Sequence, residues 1–123
     1  MRTQVLIVAV VMALTATACG TDGSGALVVD DADSVAADYE YLIPAGTGDR
    51  IEAGELVEIL PAQLDVNVGE VIRIVNEDSR GHFVGIFYVG VGETVTQRFA
   101  SPGEFQGACS VHPSGELTLT VHE

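Results

Sequence analysis

Apolar and polar positions divide the chain into three stretches. Val5–Leu14 is an unbroken apolar run of ten residues. Residues 20–38 show no sustained period, with Gly, Ser, Ala and Asp around a brief Ala26-Leu27-Val28-Val29. From Tyr39 onward, short apolar or alternating runs are cut by glycine, proline and acidic turns, the pattern of strands. Tyr39–Ile43 stops at Pro44, residues 45–49 read as a loop, and Leu56–Leu60 ends at Pro61. Leu64, Val66 and Val68 alternate with Asp65 and Asn67, which predicts a half-buried strand closed by Gly69-Glu70. The branched run Val71–Val75 predicts a strand, with too many branched residues in succession for an exposed surface. Phe83–Val89, Thr94–Phe99 and a final strand through Leu117, Leu119 and Val121 complete the pattern, with turns at 90–93 and 101–103. No window carries a helical stripe. About seven strands in the last 85 residues predict an all-β fold, a Greek-key β-sandwich.

The first stretch reads as a secretory leader over residues 1–18, with Arg2 supplying the positive start. A run of ten is too short to span a bilayer, which takes ~20 apolar residues. Small residues lead directly to Cys19-Gly20, and this junction resembles the lipobox of bacterial lipoproteins, although Ala16 stands where leucine is usual. The resemblance implies acylation of Cys19, a lipid-anchored position on the outer side of the cell membrane, and a flexible acidic tether over 19–38. The domain is then expected over 39–123. Cleavage near Ala18 without acylation is the alternative.

Charge narrows the partners. The chain carries 18 acidic residues against 5 arginines and no lysine, a net charge of −13. Such a surface repels phosphate, so no nucleic-acid partner is expected. A hydrophobic share of 47% separates it from disordered acidic chains. Neither paired carboxylates, nor a phosphate loop, nor a serine–histidine–aspartate order is apparent, and an enzyme is not expected.

Candidate chemistry lies in His82, Cys109 and His112. Cys109-Ser110-Val111-His112 puts a thiolate and an imidazole three positions apart, and His82 ends a polar loop just before a strand. One soft thiolate and two imidazoles form the trigonal set that suits both copper oxidation states, whereas structural zinc prefers four protein ligands. Singly, each residue has an ordinary reading, a solvated loop histidine or a small buried hydrophobe.

The stretches Pro61–Leu64, Val68–Val71, Val75–Asp78 before Gly81-His82, and Ser101–Phe105 leading into Cys109–Pro113 resemble the cupredoxins of plastocyanin–amicyanin type. That resemblance implies one mononuclear copper held by His82, Cys109 and His112, with Cys109 as the electron path and His112 at the exposed edge. The only methionines, Met1 and Met12, lie in the leader, so the methionine usual at the axial position is missing. The Gly81 carbonyl, Glu116 or water remain as axial candidates. A single cysteine near the loop excludes a dinuclear centre. His122, alternating away from the core, is expected to be solvated. The implied function is a membrane-tethered one-electron carrier serving a redox partner. A copper-binding, delivery or storage lipoprotein that exchanges metal with a donor or acceptor, and a metal-free interaction domain, are the alternatives.

Overall fold

The structure, a computed structural model, describes residues 34–123. The leader, Cys19 and the tether up to residue 33 lie outside the described residues. Strands β1 (Tyr39–Ile43), β2 (Gln63–Asn67), β3 (Val71–Asn76), β4 (His82–Val84), β5 (Phe87–Val89), β6 (Thr94–Arg98), β7 (Gly103–Ala108) and β8 (Glu116–His122) are joined by one short helix, α1 (Thr47–Glu52). One sheet has the order β1-β3-β6, a second β2-β8-β7, and β4-β5 form a hairpin. The expected all-β sandwich is present, with eight strands among the described residues.

The alternation in β8 explains the second sheet. Leu117, Leu119 and Val121 are buried, while Glu116 and His122 at its ends are exposed. β2 runs parallel to β8, placing Leu64 against Leu119 and Val66 against Val121, and β7 runs antiparallel on its other side. In the first sheet β3 is central, parallel to β1 and antiparallel to β6, with Ile72 and Ile74 fully buried. Parallel neighbours cannot be joined by a hairpin, so the chain crosses between sheets. The inward faces meet in a core of Ile43, Leu60, Val66, Ile72, Ile74, Val89, Phe99, Leu117 and Leu119.

Three local expectations change. The loop expected at 45–49 is partly α1, entered through Gly46 at φ 86, a left-handed value that glycine adopts without strain. Six helical residues are too few to show a hydrophobic period. Leu56–Leu60 is irregular: Val57 and Leu60 are buried singly while Leu56 is 82% exposed. The run 83–89 is a hairpin, because Gly85 at φ 61 turns the chain and pairs His82 with Val89 and Phe83 with Tyr88. Just before β1, Asp38 exchanges two hydrogen bonds with Val71, both 2.8 Å, and Arg73 donates to the Val35 carbonyl. No helix among the described residues is long and apolar enough to cross a membrane.

Candidate metal centre

The site begins in the loop between β3 and β4. Asn76, buried at the end of β3, reaches the carbonyls of Arg80, Val89 and Gly90 at 2.8, 3.2 and 3.0 Å, and its Oδ1 accepts the Asp78 amide at 2.9 Å. These bonds curl the loop so that Asp78 points inward, 2% exposed. Its Oδ1 accepts the amides of Gly46 (3.1 Å) and Ser79 (2.9 Å), and its Oδ2 accepts the amide of Gly48 (2.8 Å) and faces His82 Nε2 (2.7 Å). Asp78 therefore satisfies amides at the start of α1, a helix end without a side-chain cap of its own. Burial by itself would raise this carboxyl. The hydrogen bonds from His82, Gly48, Ser79 and Gly46 outweigh that and hold it below the ordinary carboxylate range. Gly48 permits the approach, since a Cβ there would meet the Arg80 side chain and Asp78 Oδ2.

His82 is buried, with Nε2 on Asp78 and Nδ1 3.0 Å from Ser110 Oγ. An ionised carboxylate only accepts, so Nε2 donates to Asp78. Ser110 Oγ lies 3.0 Å from Nδ1 and donates to the Phe83 carbonyl at 3.4 Å. The backbone fixes this pairing. Ser110 N–H donates to Phe83 O at 2.9 Å, Cys109 bridges Val84, and Cys109 N–H donates to Gly115 O at 2.9 Å. Cys109 is 1% exposed. Burial pushes its thiol up, and a hydrogen bond from the Val111 amide opposes that in part.

His112 sits in the turn that follows. Its Nδ1 accepts the Ser114 amide at 3.0 Å and lies 2.7 Å from Ser114 Oγ, while Nε2 is 3.8 Å from the exposed Glu58 carboxylate. Gly115, at φ 75, closes the turn and returns the chain directly to β8. Glu116 is exposed at the start of β8. Gly81 lies beneath the Tyr88 ring, which also packs on Phe83 with centroids 5.0 Å apart. His122 is exposed at the far end of β8, its Nε2 2.9 Å from Asp65 Oδ1.

The fold thus sets His82 and Cys109 on bridged backbone segments, with His112 in the following turn. It does not gather the three side chains: among the described residues no three His, Cys, Asp or Glu groups form a metal-holding cluster. Both Nδ1 atoms face serines. Two residues of the site were missed in the sequence. Asp78 reads as half of an acidic turn, Glu77-Asp78, and Ser110 as filler between Cys109 and Val111. The fold also brings Asp78, His82 and Ser110 into one hydrogen-bonded group. A cleft of about 370 Å³ opens beside them, lined by Gly48, Ile51, Glu52, Arg80, Gly81, His82 and Ser110.

No family model matches the chain, and no curated protein matches it. The solved structures to which it is similar are cupredoxins. A purple cupredoxin from Nitrosopumilus maritimus is 25% identical, over 68% of this chain and 99% of that one, with a TM-score of 0.44. Amicyanin from Paracoccus versutus is 17% identical, over 79% and 98%, with a TM-score of 0.48. The reduced Cu(I) form at pH 4 of an amicyanin variant is 18% identical, over 78% and 96%, with a TM-score of 0.45.

Proposed function

We propose that this chain is a copper-binding electron carrier, held outside the cell membrane by a lipid on Cys19, with His82, Cys109 and His112 as the copper ligands. The observation that carries the reading is the buried pair Asp78–His82, which fixes the ring with Nδ1 facing the segment that bears Cys109. A carboxylate behind an imidazole is the usual support of a histidine ligand, because it sets the tautomer and strengthens the ring as a donor. The donor set fits copper, a soft sulfur with two imidazoles. Bound there, copper supplies a one-electron Cu(I)/Cu(II) couple.

The chain's own residues do the rest. Asp78 holds the proton on Nε2 and prevents the buried ring from turning. His82 and His112, whose Nδ1 atoms face Ser110 and Ser114, and the Cys109 sulfur, as thiolate, would hold the copper. Burial of His82 and Cys109 keeps water from one side, while half-buried His112 stands nearest a partner. The net charge of −13 favours a basic redox partner by steering.

Titration of the purified protein with Cu(II), followed by absorption and EPR, tests the reading. One equivalent should give a thiolate-to-copper charge-transfer band that Cys109→Ser abolishes. A band that survives without Cys109 sinks the assignment. Membrane fractionation of wild type and Cys19→Ser tests the anchor, and equal solubility of both defeats it. The missing methionine favours a second reading, copper delivery, in which Cu(I) leaves readily to a chelator and exchange of electrons is slow.

A further inference from the structure

We propose, on the carrier reading above, that Leu56 and the acidic residues around it dock a partner protein whose contact surface is apolar and ringed by lysine or arginine. Leu56 is 82% exposed, the most exposed large apolar side chain among the described residues, yet its backbone is fixed on both sides. Before it, Gly54 turns left-handed at φ 85, and the Glu55 amide bonds back to the Arg50 carbonyl at 3.0 Å, at the end of α1. After it, Val57 and Leu60 are buried, and the Ile59 amide donates to the Val111 carbonyl at 2.9 Å, next to His112. A leucine held out to solvent on a fixed frame gains apolar burial on contact with little further ordering. The stretches that resemble the cupredoxins leave out residues 47–60, so that pattern does not supply this surface.

Leu56 is the wall between two hollows. On one side a hollow of about 160 Å³ is bounded by Ile51, Val57, His112 and Pro113. On the other a hollow of about 520 Å³ is bounded by Leu42, Pro44 and Ile59. Glu55 borders the first and Glu58 the second, and Asp49 and Glu52 are exposed on α1. Two arginines are set among these acids, and both are already paired. Arg50 is held by Glu55 at 2.9 Å, and Arg80 by Asp49 at 2.9 Å and Glu52 at 2.6 Å. Four carboxylates against two guanidiniums leave the face at net −2, on a chain of net charge −13.

Charge selects the occupant. A second copy would bring the same acidic ring against this one, and like charges across a contact oppose it. An anionic lipid surface is repelled for the same reason. A basic protein is drawn in over about a screening length, ~10 Å at 0.1 M salt, and its apolar contact then displaces water from the hollows beside Leu56. A partner seated over the smaller hollow meets the edge of His112, the ligand nearest the surface in the carrier reading.

The test titrates the ¹⁵N-labelled full chain, with and without Cu(I), with a reduced lysine-rich c-type cytochrome, and with the same cytochrome after acetylation of its lysines. Shifted amides at 49–58 and 112–113 are expected with the unmodified cytochrome only. Binding should weaken as salt rises from about 0.01 M to about 1 M, where the screening length falls from ~30 Å to ~3 Å. Leu56→Ser, an exposed change that leaves Val57 and Leu60 buried, should weaken it by about tenfold, roughly what burying a leucine contributes. Val91→Ser, at another exposed apolar position, should leave it unchanged. Asp49→Asn with Glu55→Gln should weaken binding and flatten its salt dependence. Docking without a copper charge-transfer band upholds this surface and defeats the carrier reading alone; a copper band without docking does the reverse. Shifts centred on the Phe83–Tyr88 hairpin, self-association that Leu56→Ser abolishes, binding to anionic vesicles, or undiminished affinity in Leu56→Ser overturns the proposal.

Discussion

Replacing Asp78 by asparagine keeps the size of the side chain and turns one acceptor oxygen into a donor. The carboxylate takes two N–H groups on each oxygen, Gly46 and Ser79 on Oδ1, Gly48 and His82 on Oδ2. If the new NH₂ faces Gly46 and Ser79, both amides lose their acceptor. If it faces Gly48 and His82, the imidazole can shift its proton to Nδ1 and accept at Nε2, and only the Gly48 amide is left opposed. The second arrangement is the cheaper, so Asp78→Asn should reverse the His82 tautomer. Bonds to a charged acceptor are worth about 1.5–3 kcal/mol each, and a buried donor without a partner costs about 1–3 kcal/mol. With the Gly48 amide left opposed and the His82 bond to a charged acceptor replaced by a neutral one, we expect a loss of about 2–5 kcal/mol. For a domain of this size each kcal/mol moves Tm by roughly 4–8 °C, so the midpoint should fall by roughly 8–40 °C. Thermal melts give the loss, and ¹⁵N-detected imidazole spectra show which nitrogen of His82 is protonated. A loss under about 1 kcal/mol, below the cost of a single opposed buried donor, with the proton still on Nε2, would refute the reasoning. Acid gives an independent reading. Because the folded carboxyl lies below its unfolded value, its contribution is fully present above the ordinary carboxylate range and is lost as pH falls through the folded value. The difference between wild type and Asp78→Asn should therefore narrow below about pH 4, where an unperturbed aspartate titrates.

Gly81→Ala drives a Cβ into the Tyr88 phenol and should cost about 1–3 kcal/mol as overpacking does; adding Tyr88→Ala should recover much of it, and additivity of the two losses in urea melts would count against the contact. Tyr39 lies beside the Glu70 carboxylate, which with burial pushes the phenol up to about 12. Its raised value contributes stability up to about pH 10, where free tyrosine ionises, and loses it as pH rises towards 12; Glu70→Gln should bring the ultraviolet titration of Tyr39 back towards the ordinary value. Glu116→Gln and His122→Ala should leave the copper EPR spectrum unchanged, since one side chain is exposed at the start of β8 and the other is exposed beside Asp65; a shifted spectrum in Glu116→Gln would show a carboxylate ligand.

Strands whose two faces differ were legible in the sequence, and those whose shape depends on a turn were less so. β8 and β2 alternate because one face packs and the other meets solvent, and their boundaries fall within one residue of those expected. β3 is apolar at most positions, and its burial alternates, with Ile72, Ile74 and Asn76 buried and Arg73 and Val75 partly exposed. By contrast Phe83–Val89 is apolar throughout, and only the left-handed Gly85 divides it into β4 and β5. Leu56–Leu60 has the composition of a strand but not a partner strand among the described residues; its buried Val57 and Leu60 fill the core singly.

Asp78 shows why the site was half legible. His82, Cys109 and His112 stand out in the sequence through their resemblance to the cupredoxin pattern, and they remain the proposed ligands. An aspartate in a polar loop has many uses, and nothing in its neighbours marks it as buried. Its partners Gly46 and Gly48 lie 32 and 30 positions away. They expose their amides because Gly46 turns left-handed and α1 starts there, two facts of tertiary origin. One carboxylate then ends a helix, curls a loop and chooses a histidine tautomer. The stability of the β3–β4 loop and the availability of Nδ1 to a metal or to Ser110 are therefore a single property. A change that loosens one should alter the other by the same hydrogen bonds.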